Sequence, residues 1–294
     1  MSAFARIALI GFGEVGQILA DDLAKAGVKH VAAYDILFED SDSIPSRAIR
    51  GCGVLKVGDA LEAVRGCQLV VSAVTAASDL DAAKSVASAL MDGAFYLDLN
   101  SASPGMKRQA AEIIQAAGGR YVEAAVMTPF PPRRIASPML LGGPHAETFL
   151  ARAEPLGFRA TVFSHDVGKA SAAKMCRSVI VKGMESLLME SLVTARRHGV
   201  EDTVLASLSD LLPVGDWKRL ARYMISRSLE HGVRRAEEMR EVARTVGEAG
   251  LSPLMSIATA ERQEIAARSK SALKASDLGQ LLDAVGEGKE GRKP

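Results

Sequence analysis

A glycine-rich turn near the amino terminus joins an apolar run to a helical segment. Residues 8–17 read ALIGFGEVGQ, which places glycines at 11, 13 and 16. In a βαβ unit the first glycine allows a tight turn, the second lets the backbone approach a pyrophosphate, and the third lets helix and strand pack closely. The following helix offers unpaired N–H groups to phosphates. The turn predicts a dinucleotide site formed by Gly11, Phe12, Gly13, Glu14, Val15 and Gly16.

A carboxylate stands where the second predicted strand ends. Asp35 follows the apolar run VAAY, about 20 residues after the glycine turn, where a carboxylate accepts hydrogen bonds from the adenosine ribose hydroxyls. Because such a carboxylate would repel a 2′-phosphate, Asp35 favours NAD as the cofactor. NADP stays possible, since neighbouring residues can relax that preference.

The first half of the chain alternates short apolar runs with helical patterns. Predicted strands cover residues 6–10, 31–34, 53–56, 69–74 and 95–99, and predicted helices cover 15–26, 60–64, 82–91 and 105–117. RYVEAAVM, PMLLGG and FRATVF are expected to extend the sheet. Strands separated by helices predict an α/β, Rossmann-type, doubly wound and mostly parallel sheet.

From about residue 168 onward the pattern is helical, with breaks at LLPVGDW and EAGLSPL. This change predicts an NAD(P)-binding domain over 1–167 and an all-α domain for substrate binding and dimerisation over 168–294. The last residues, GEGKEGRKP, predict a solvated tail.

Composition excludes several classes of partner. The net charge of +1 comes from 36 basic and 35 acidic residues, so no basic excess points to nucleic acid. No apolar run is long enough for a membrane span, and the start lacks a secretory pattern. The three cysteines are scattered, which indicates reduced thiols and a cytoplasmic protein. No metal site is expected, because no cluster of potential ligands has the spacing of one.

Four segments, in order, resemble a known family. GFGEVG, VVSAVTAASD, DLNSASPG and VGKASAAKMCRS are similar to the motifs of the β-hydroxyacid dehydrogenases, which include 3-hydroxyisobutyrate and 6-phosphogluconate dehydrogenases. The resemblance covers almost the whole chain and comes nearest to the little-characterised phosphogluconate-dehydrogenase-like branch. It implies an NAD(P)-dependent oxidoreductase acting on a 3-hydroxy acid.

The resemblance also implies roles for individual residues. Lys174 matches the catalytic lysine of the family, whose amine takes the hydroxyl proton in oxidation and returns it in reduction. Asn100 and Ser101 would hydrogen-bond the substrate, Asn100 could also meet the nicotinamide ribose, and the same segment could cap a helix. Ser178, one helical turn after Lys174, stands where the family usually has asparagine. Beside the cofactor the resemblance places Ala73, Val74 and Thr75.

Two segments depart from the family pattern. AAVMTPFPPRR replaces a glycine-rich substrate loop, so Arg133 and Arg134 either clamp an anion or lie in a solvated loop. HGVRRAEEMREV replaces a lysine-containing segment; its side chains either close the cleft or support a solvated helix. These are His231, Arg234, Arg235 and Glu238. The family also implies a homodimer, with VIVKGMESLLMESL as a shared helix, and Trp217 is expected in an interface or core.

Other functions stay open. A sugar-acid oxidoisomerase would use the same lysine, whereas imine reductases of this fold generally place another residue at position 174. A non-catalytic NAD-binding sensor would need the glycine turn and Asp35 but not Lys174.

Overall fold

The first part of the chain folds around a single, mostly parallel β-sheet. A computed structural model describes residues 4–287, except for the side chains of residues 209–211, so the predicted tail lies outside them from residue 288 onward. The strands are β1 Arg6–Ile10, β2 His30–Tyr34, β3 Leu55–Lys56, β4 Leu69–Ser72, β5 Phe95–Asp98, β6 Arg120–Val126, β7 Met139–Gly142 and β8 Ala160–Ser164. In the described residues these eight strands form one sheet in the order β3-β2-β1-β4-β5-β6-β7-β8.

All neighbouring strands of the sheet pair in parallel except one pair. β6 and β7 run antiparallel, and β8 is parallel to β7. The chain leaves β1 for β2 on one side and later returns to place β4 on the other. This reversal of strand order is where open α/β sheets bind ligands, at the carboxyl ends of the strands.

Helices cover both faces of the sheet because its strands are apolar on both sides. The helices of this part are α1 Glu14–Lys25, α2 Ile44–Ala48, α3 Ala60–Val64, α4 Asp79–Ala87, α5 Pro104–Ala116, α6 Phe130–Arg133 and α7 Ala146–Ala153. Along β1, Ile7 and Leu9 pack in one core with α1 and α7, whereas Ala8 and Ile10 pack in a second core with α3, α4 and α5. The predicted α/β class with a mostly parallel sheet is confirmed.

The rest of the described chain is helical, as predicted. Its helices are α8 Lys169–His198, α9 Glu201–Leu211, α10 Trp217–Glu248, α11 Leu254–Ala267 and α12 Leu278–Glu287. Breaks occur at both predicted places, and two further breaks follow α8 at Gly199 and α11 after Ala267. Trp217 is buried in the core of this part, with apolar side chains of α8, α10 and α12.

The chain divides into two compact units, residues 1–175 and 176–294. The division falls inside α8, whereas the sequence predicts it just before that helix. The roles predicted for the two domains stay predictions. From residue 4 to residue 287 no helix is both long and apolar enough to cross a membrane.

Candidate active site

The glycine turn has the geometry that its sequence predicts. Gly11 has φ +93°, and its N–H donates to the Tyr34 carbonyl at 2.8 Å. A Cβ on Gly11 would lie 2.4 Å from the Ala73 carbonyl oxygen, and one on Gly16 would lie 2.3 Å from the Gly11 carbonyl oxygen. Only glycine fits at these two positions. At Gly13 an added Cβ would meet nothing within 4 Å, which leaves room beside the first turn of α1.

Asp35 fixes the turn from the end of β2. One carboxylate oxygen accepts the Phe12 N–H at 2.7 Å, and the other accepts the Leu37 N–H at 2.9 Å. A carboxylate has about four acceptor positions, so Asp35 retains capacity for further donors such as ribose hydroxyls. The side chain therefore both orders the turn and keeps acceptors for a ligand.

Asn100 ties together the ends of β4 and β5. Its amide oxygen accepts the Val74 N–H at 2.7 Å, and its amide nitrogen donates to Ser72 Oγ at 2.9 Å and to Asp79 Oδ1 at 2.8 Å. The residue is only 4% exposed. These bonds give Asn100 the partners of a side chain that orders the sheet edge next to Val74. Thr75, at the same edge, is exposed, with its hydroxyl 3.2 Å from Ser78 Oγ.

A buried charge cluster, formed by Asp79, Asp98, Lys107 and Tyr121, supports Asn100. Lys107 Nζ lies 2.6 Å from Asp98 Oδ1 and 3.5 Å from Asp79 Oδ2. Tyr121 donates its hydroxyl to Asp98 Oδ2 at 2.7 Å. Asp98 also accepts the Asn100 N–H at 2.9 Å. The sequence analysis does not predict this cluster. The sequence feature that could have indicated it is the presence of charged residues within or next to apolar strands.

Burial controls the titration of this cluster. It raises the pKa of Asp79 to about 7, helped by the charge of Asp98 and opposed by Lys107 and by the bond from Asn100. Burial also works against the charged form of Lys107, but the carboxylates of Asp79 and Asp98 outweigh it and raise the pKa of that amine. Burial raises the pKa of Tyr121 well above its usual value. Tyr121 is therefore a neutral donor.

The Asp79 carboxyl predicts a specific pH dependence of stability. Its pKa rises from 3.8 to about 7 on folding, so the folded state binds more protons between these pH values and the free energy of unfolding falls as pH rises through them. Asp79→Asn keeps the oxygen that faces Asn100 but cannot ionise. Relative to the wild type, we expect its stability advantage to grow from pH 4 to pH 7 and then level off, as measured by urea unfolding.

The control for this prediction is Asp81→Asn on the same helix, whose carboxylate is 84% exposed. Its unfolding curve should run parallel to that of the wild type across the same pH values. If the free energy of unfolding of Asp79→Asn also runs parallel to that of the wild type, the pH dependence does not come from the Asp79 carboxyl.

Lys174 and Ser101 meet within the first unit. Lys174 lies in the second turn of α8, is half-buried, and donates from Nζ to Ser101 Oγ at 2.7 Å. Ser101 directly follows Asn100 at the carboxyl end of β5, beside the end of β4. Two of the residues to which the sequence assigns chemistry therefore form a bonded pair at the sheet edge that carries the glycine turn. Ser178, further along α8, is 7% exposed.

Comparisons with known proteins agree with this geometry. Residues 6–147 match the NAD-binding domain of 6-phosphogluconate dehydrogenase, and residues 195–265 match a domain of unknown function, DUF1932. A conserved hypothetical protein from Sinorhizobium meliloti is 35% identical, covers 97% of this chain and 96% of its own, and has a TM-score of 0.75. A conserved protein of unknown function, whose structure is similar to those of the 3-hydroxyacid dehydrogenases, is 31% identical over 89% of this chain and 97% of its own, with a TM-score of 0.69.

The chain belongs to the β-hydroxyacid dehydrogenase family. A Mycobacterium tuberculosis 3-hydroxyisobutyrate dehydrogenase shares the fold of this family member, with a TM-score of 0.70, 18% identity and coverage of 97% of this chain and 99% of its own. The predicted family is thus confirmed, and with it an NAD-binding domain in an oxidoreductase family. Among residues 4–208 and 212–287 no group of three or more His, Cys, Asp or Glu side chains is arranged to hold a metal ion.

In this family member one arginine of the segment AAVMTPFPPRR, which differs from the family pattern, bonds to carboxylates of α1. Arg134 Nε donates to Asp22 Oδ1 at 2.8 Å, and its guanidinium also pairs with Asp21. The N–H of Ile135 donates to Asp22 Oδ2 at 3.0 Å. Arg134 therefore fastens the segment after β6 to α1, whereas Arg133 is exposed. The Arg134 side chain is still 39% exposed, so it is a surface arginine with bonded partners, and its role as an anion clamp stays a prediction.

Several charged side chains of α8 and α10 pair with one another, and all of them except Arg234 are largely buried. Glu238 on α10 pairs with both Lys182 on α8 and Arg234, and Arg235 pairs with Glu185 on α8. Burial lowers the pKa of Lys182 although Glu238 opposes it. His231 is half-buried beside Arg227 and Glu230. Of the two alternatives, a solvated helix face fails for Arg235, which is buried; closing a cleft stays a prediction.

Proposed function

We propose that the protein is an NAD(P)-dependent dehydrogenase or reductase that transfers a hydride between a nicotinamide cofactor and a 3-hydroxy acid. The observation that carries this proposal is the Lys174–Ser101 bond at the carboxyl edge of the sheet. An amine alone would be an ordinary helix lysine. An amine paired with a hydroxyl beside a dinucleotide turn is a means of moving a proton.

The residues at the sheet edge fit a dinucleotide. The open space at Gly13 and the first-turn N–H groups of α1 suit a pyrophosphate, and Asp35 keeps acceptors for ribose hydroxyls. Ala73, Val74 and Thr75 would border the nicotinamide end. The cofactor supplies hydride exchange at a carbon; the protein supplies orientation and a path for the proton. NAD is proposed over NADP because Asp35 would repel a 2′-phosphate.

Lys174 is proposed as the general acid and base. In oxidation its neutral amine accepts the proton of the substrate hydroxyl, and in reduction its ammonium donates that proton to the developing alkoxide. The hydroxyl of Ser101 accepts a bond from Lys174, so its own hydrogen is left to orient a substrate oxygen. Asn100 acts on this site by ordering the strand ends, since its amide already has three partners. The substrate contact of Ser178 stays a prediction.

Self-association is proposed through the helical unit. Large apolar side chains are exposed on α8 and α11: Ile180, Leu187, Leu254, Met255 and Ile257. A second copy would remove this surface from water, which favours association. Sedimentation equilibrium should then give a dimer mass.

A reducing, cytoplasmic location is also proposed, because the three cysteines are free thiols.

The proposed activity can be tested with a panel of hydroxy acids. The purified protein is titrated with NAD and NADP, and each acid is then added while absorbance is followed at the reduced-nicotinamide band. We expect tighter binding of NAD and reduction of NAD by at least one 3-hydroxy acid. Binding of NAD without hydride transfer to or from any member would support the sensor instead. A parallel panel of imines is added to the protein with NADH or NADPH, and turnover of imines alone would support an imine reductase. A decarboxylated or rearranged product of a hydroxy acid would support an oxidoisomerase.

A further inference from the structure

Helix α8 begins without a capping side chain of its own. The residue before it, Gly168, has φ +101° and carries no side chain that could accept from the first-turn N–H groups. Helix starts that lack such an acceptor leave several N–H groups without partners. Lys174 lies three residues after Ser171, about one turn further along the helix. The position of its amine therefore depends on how well this first turn is held.

A buried glutamate on β6 supplies the missing acceptor. Glu123 has no exposed surface; Oε2 accepts the Gly168 N–H at 2.6 Å and Oε1 accepts the Ser171 N–H. Both oxygens of one carboxylate thus hold the start of the helix. Hydrogen bonds from backbone N–H groups to a carboxylate are stronger than neutral ones, and a negative charge at a helix amino terminus is favourable.

The neighbouring strand leaves room for this carboxylate. Gly142 of β7 pairs with Glu123, and a Cβ on Gly142 would lie 2.5 Å from Glu123 Oε2. Any larger residue at 142 would push the carboxylate away from the helix. On its other side Glu123 pairs with Asp98 of β5. Glu123 is therefore a direct neighbour of the residue that accepts the Asn100 N–H.

We propose that Glu123 is a positioning residue, which holds the first turn of α8 and thereby holds the Lys174 amine against Ser101. Its importance for catalysis rests on the proposed role of Lys174. The effect of Glu123 on the position of the Lys174 amine does not depend on any substrate, so it can be measured without one. Small displacements of a reacting group are costly: a shift of about 1 Å can reduce a rate about 100-fold.

The test uses Glu123→Gln with Glu112→Gln, an exposed glutamate on α5, as the matched control. Three properties are measured: hydrogen exchange at the Gly168 and Ser171 amides, trace labelling of the Lys174 amine by acetic anhydride relative to exposed Lys29, and kcat with NAD. In Glu123→Gln we expect amide exchange and amine labelling to rise about tenfold, since a hydrogen bond to a charged group is lost. We expect kcat to fall at least about tenfold, with the dissociation constant for NAD changed less than about twofold. The control should match the wild type.

A second variant, Gly142→Ala, displaces the carboxylate without removing its charge and serves if Glu123→Gln does not fold. Faster amide exchange with unchanged Lys174 labelling and unchanged kcat would overturn the proposal, because Glu123 would then only stabilise the helix. Unchanged exchange in both variants would overturn it as well. If the wild type transfers no hydride to any acid, the proposed function fails, while exchange and labelling still decide the role of Glu123.

Discussion

Replacing Lys174 with methionine should abolish most turnover while leaving NAD binding intact. Methionine keeps a similar length but cannot accept or donate a proton, and general acid and base catalysis is worth about 10²–10⁴-fold in rate. The cofactor should still bind, because Asp35 orders the glycine turn through the Phe12 N–H, whereas the Lys174 amine donates to Ser101. Steady-state rates at saturating NAD, together with NADH fluorescence titration, measure the two quantities.

Lys169→Met is the control for this variant. Lys169 begins the same helix and is exposed, so its replacement tests the loss of a lysine charge from that helix. We expect it to retain wild-type turnover. Full turnover in Lys174→Met would contradict the proposed proton transfer and leave the sensor as the better account of the protein.

Replacing Lys107 with methionine should cost about 3–5 kcal/mol in the free energy of unfolding at neutral pH, since it leaves buried carboxylates without their cation. Lys107 is 1% exposed and faces Asp98 at 2.6 Å. Because protonation can relieve the uncompensated charge, the loss should be smaller near pH 5 than near pH 8. Urea unfolding at the two pH values measures it.

Lys84→Met is the matched control, because Lys84 is 62% exposed and lies 3.9 Å from Asp81. A surface pair of this kind is worth about 0–1 kcal/mol. The double variant Lys107→Met with Asp98→Asn should recover part of the loss, since it removes both charges. A Lys107→Met protein as stable as the control would show that the cluster does not depend on its cation.

Local patterns account for the parts of the fold that sequence analysis predicted well. Strand β1 was predicted at its observed bounds because a short apolar run meets a glycine turn there. The turn itself depends on Gly11 and Gly16, whose backbones approach other backbone atoms too closely for a side chain. The sequence analysis does not predict helices α2, α6 and α7, which have only five, four and eight residues and so offer few turns of helical pattern.

The site was predictable only where chemistry and local context coincide. Lys174 and Ser101 were found because motifs carry them, and the structure brings them together. The contact of Asn100 with the substrate stays a prediction. The structure adds bonds from its amide to Ser72, Val74 and Asp79, which lie 21 to 28 residues away in sequence. The partners of Arg134 and Glu123 are likewise distant, so no spacing rule could connect them.

The close approach of Gly142 to Glu123 links two positions that no motif connects. A relative with alanine or a larger residue at the first would need a shorter acid, or a different cap altogether, at the second. Positions 142 and 123 are therefore expected to change together, and an alignment of diverse family members should show them covarying. Engineering of either strand has to treat them as one unit.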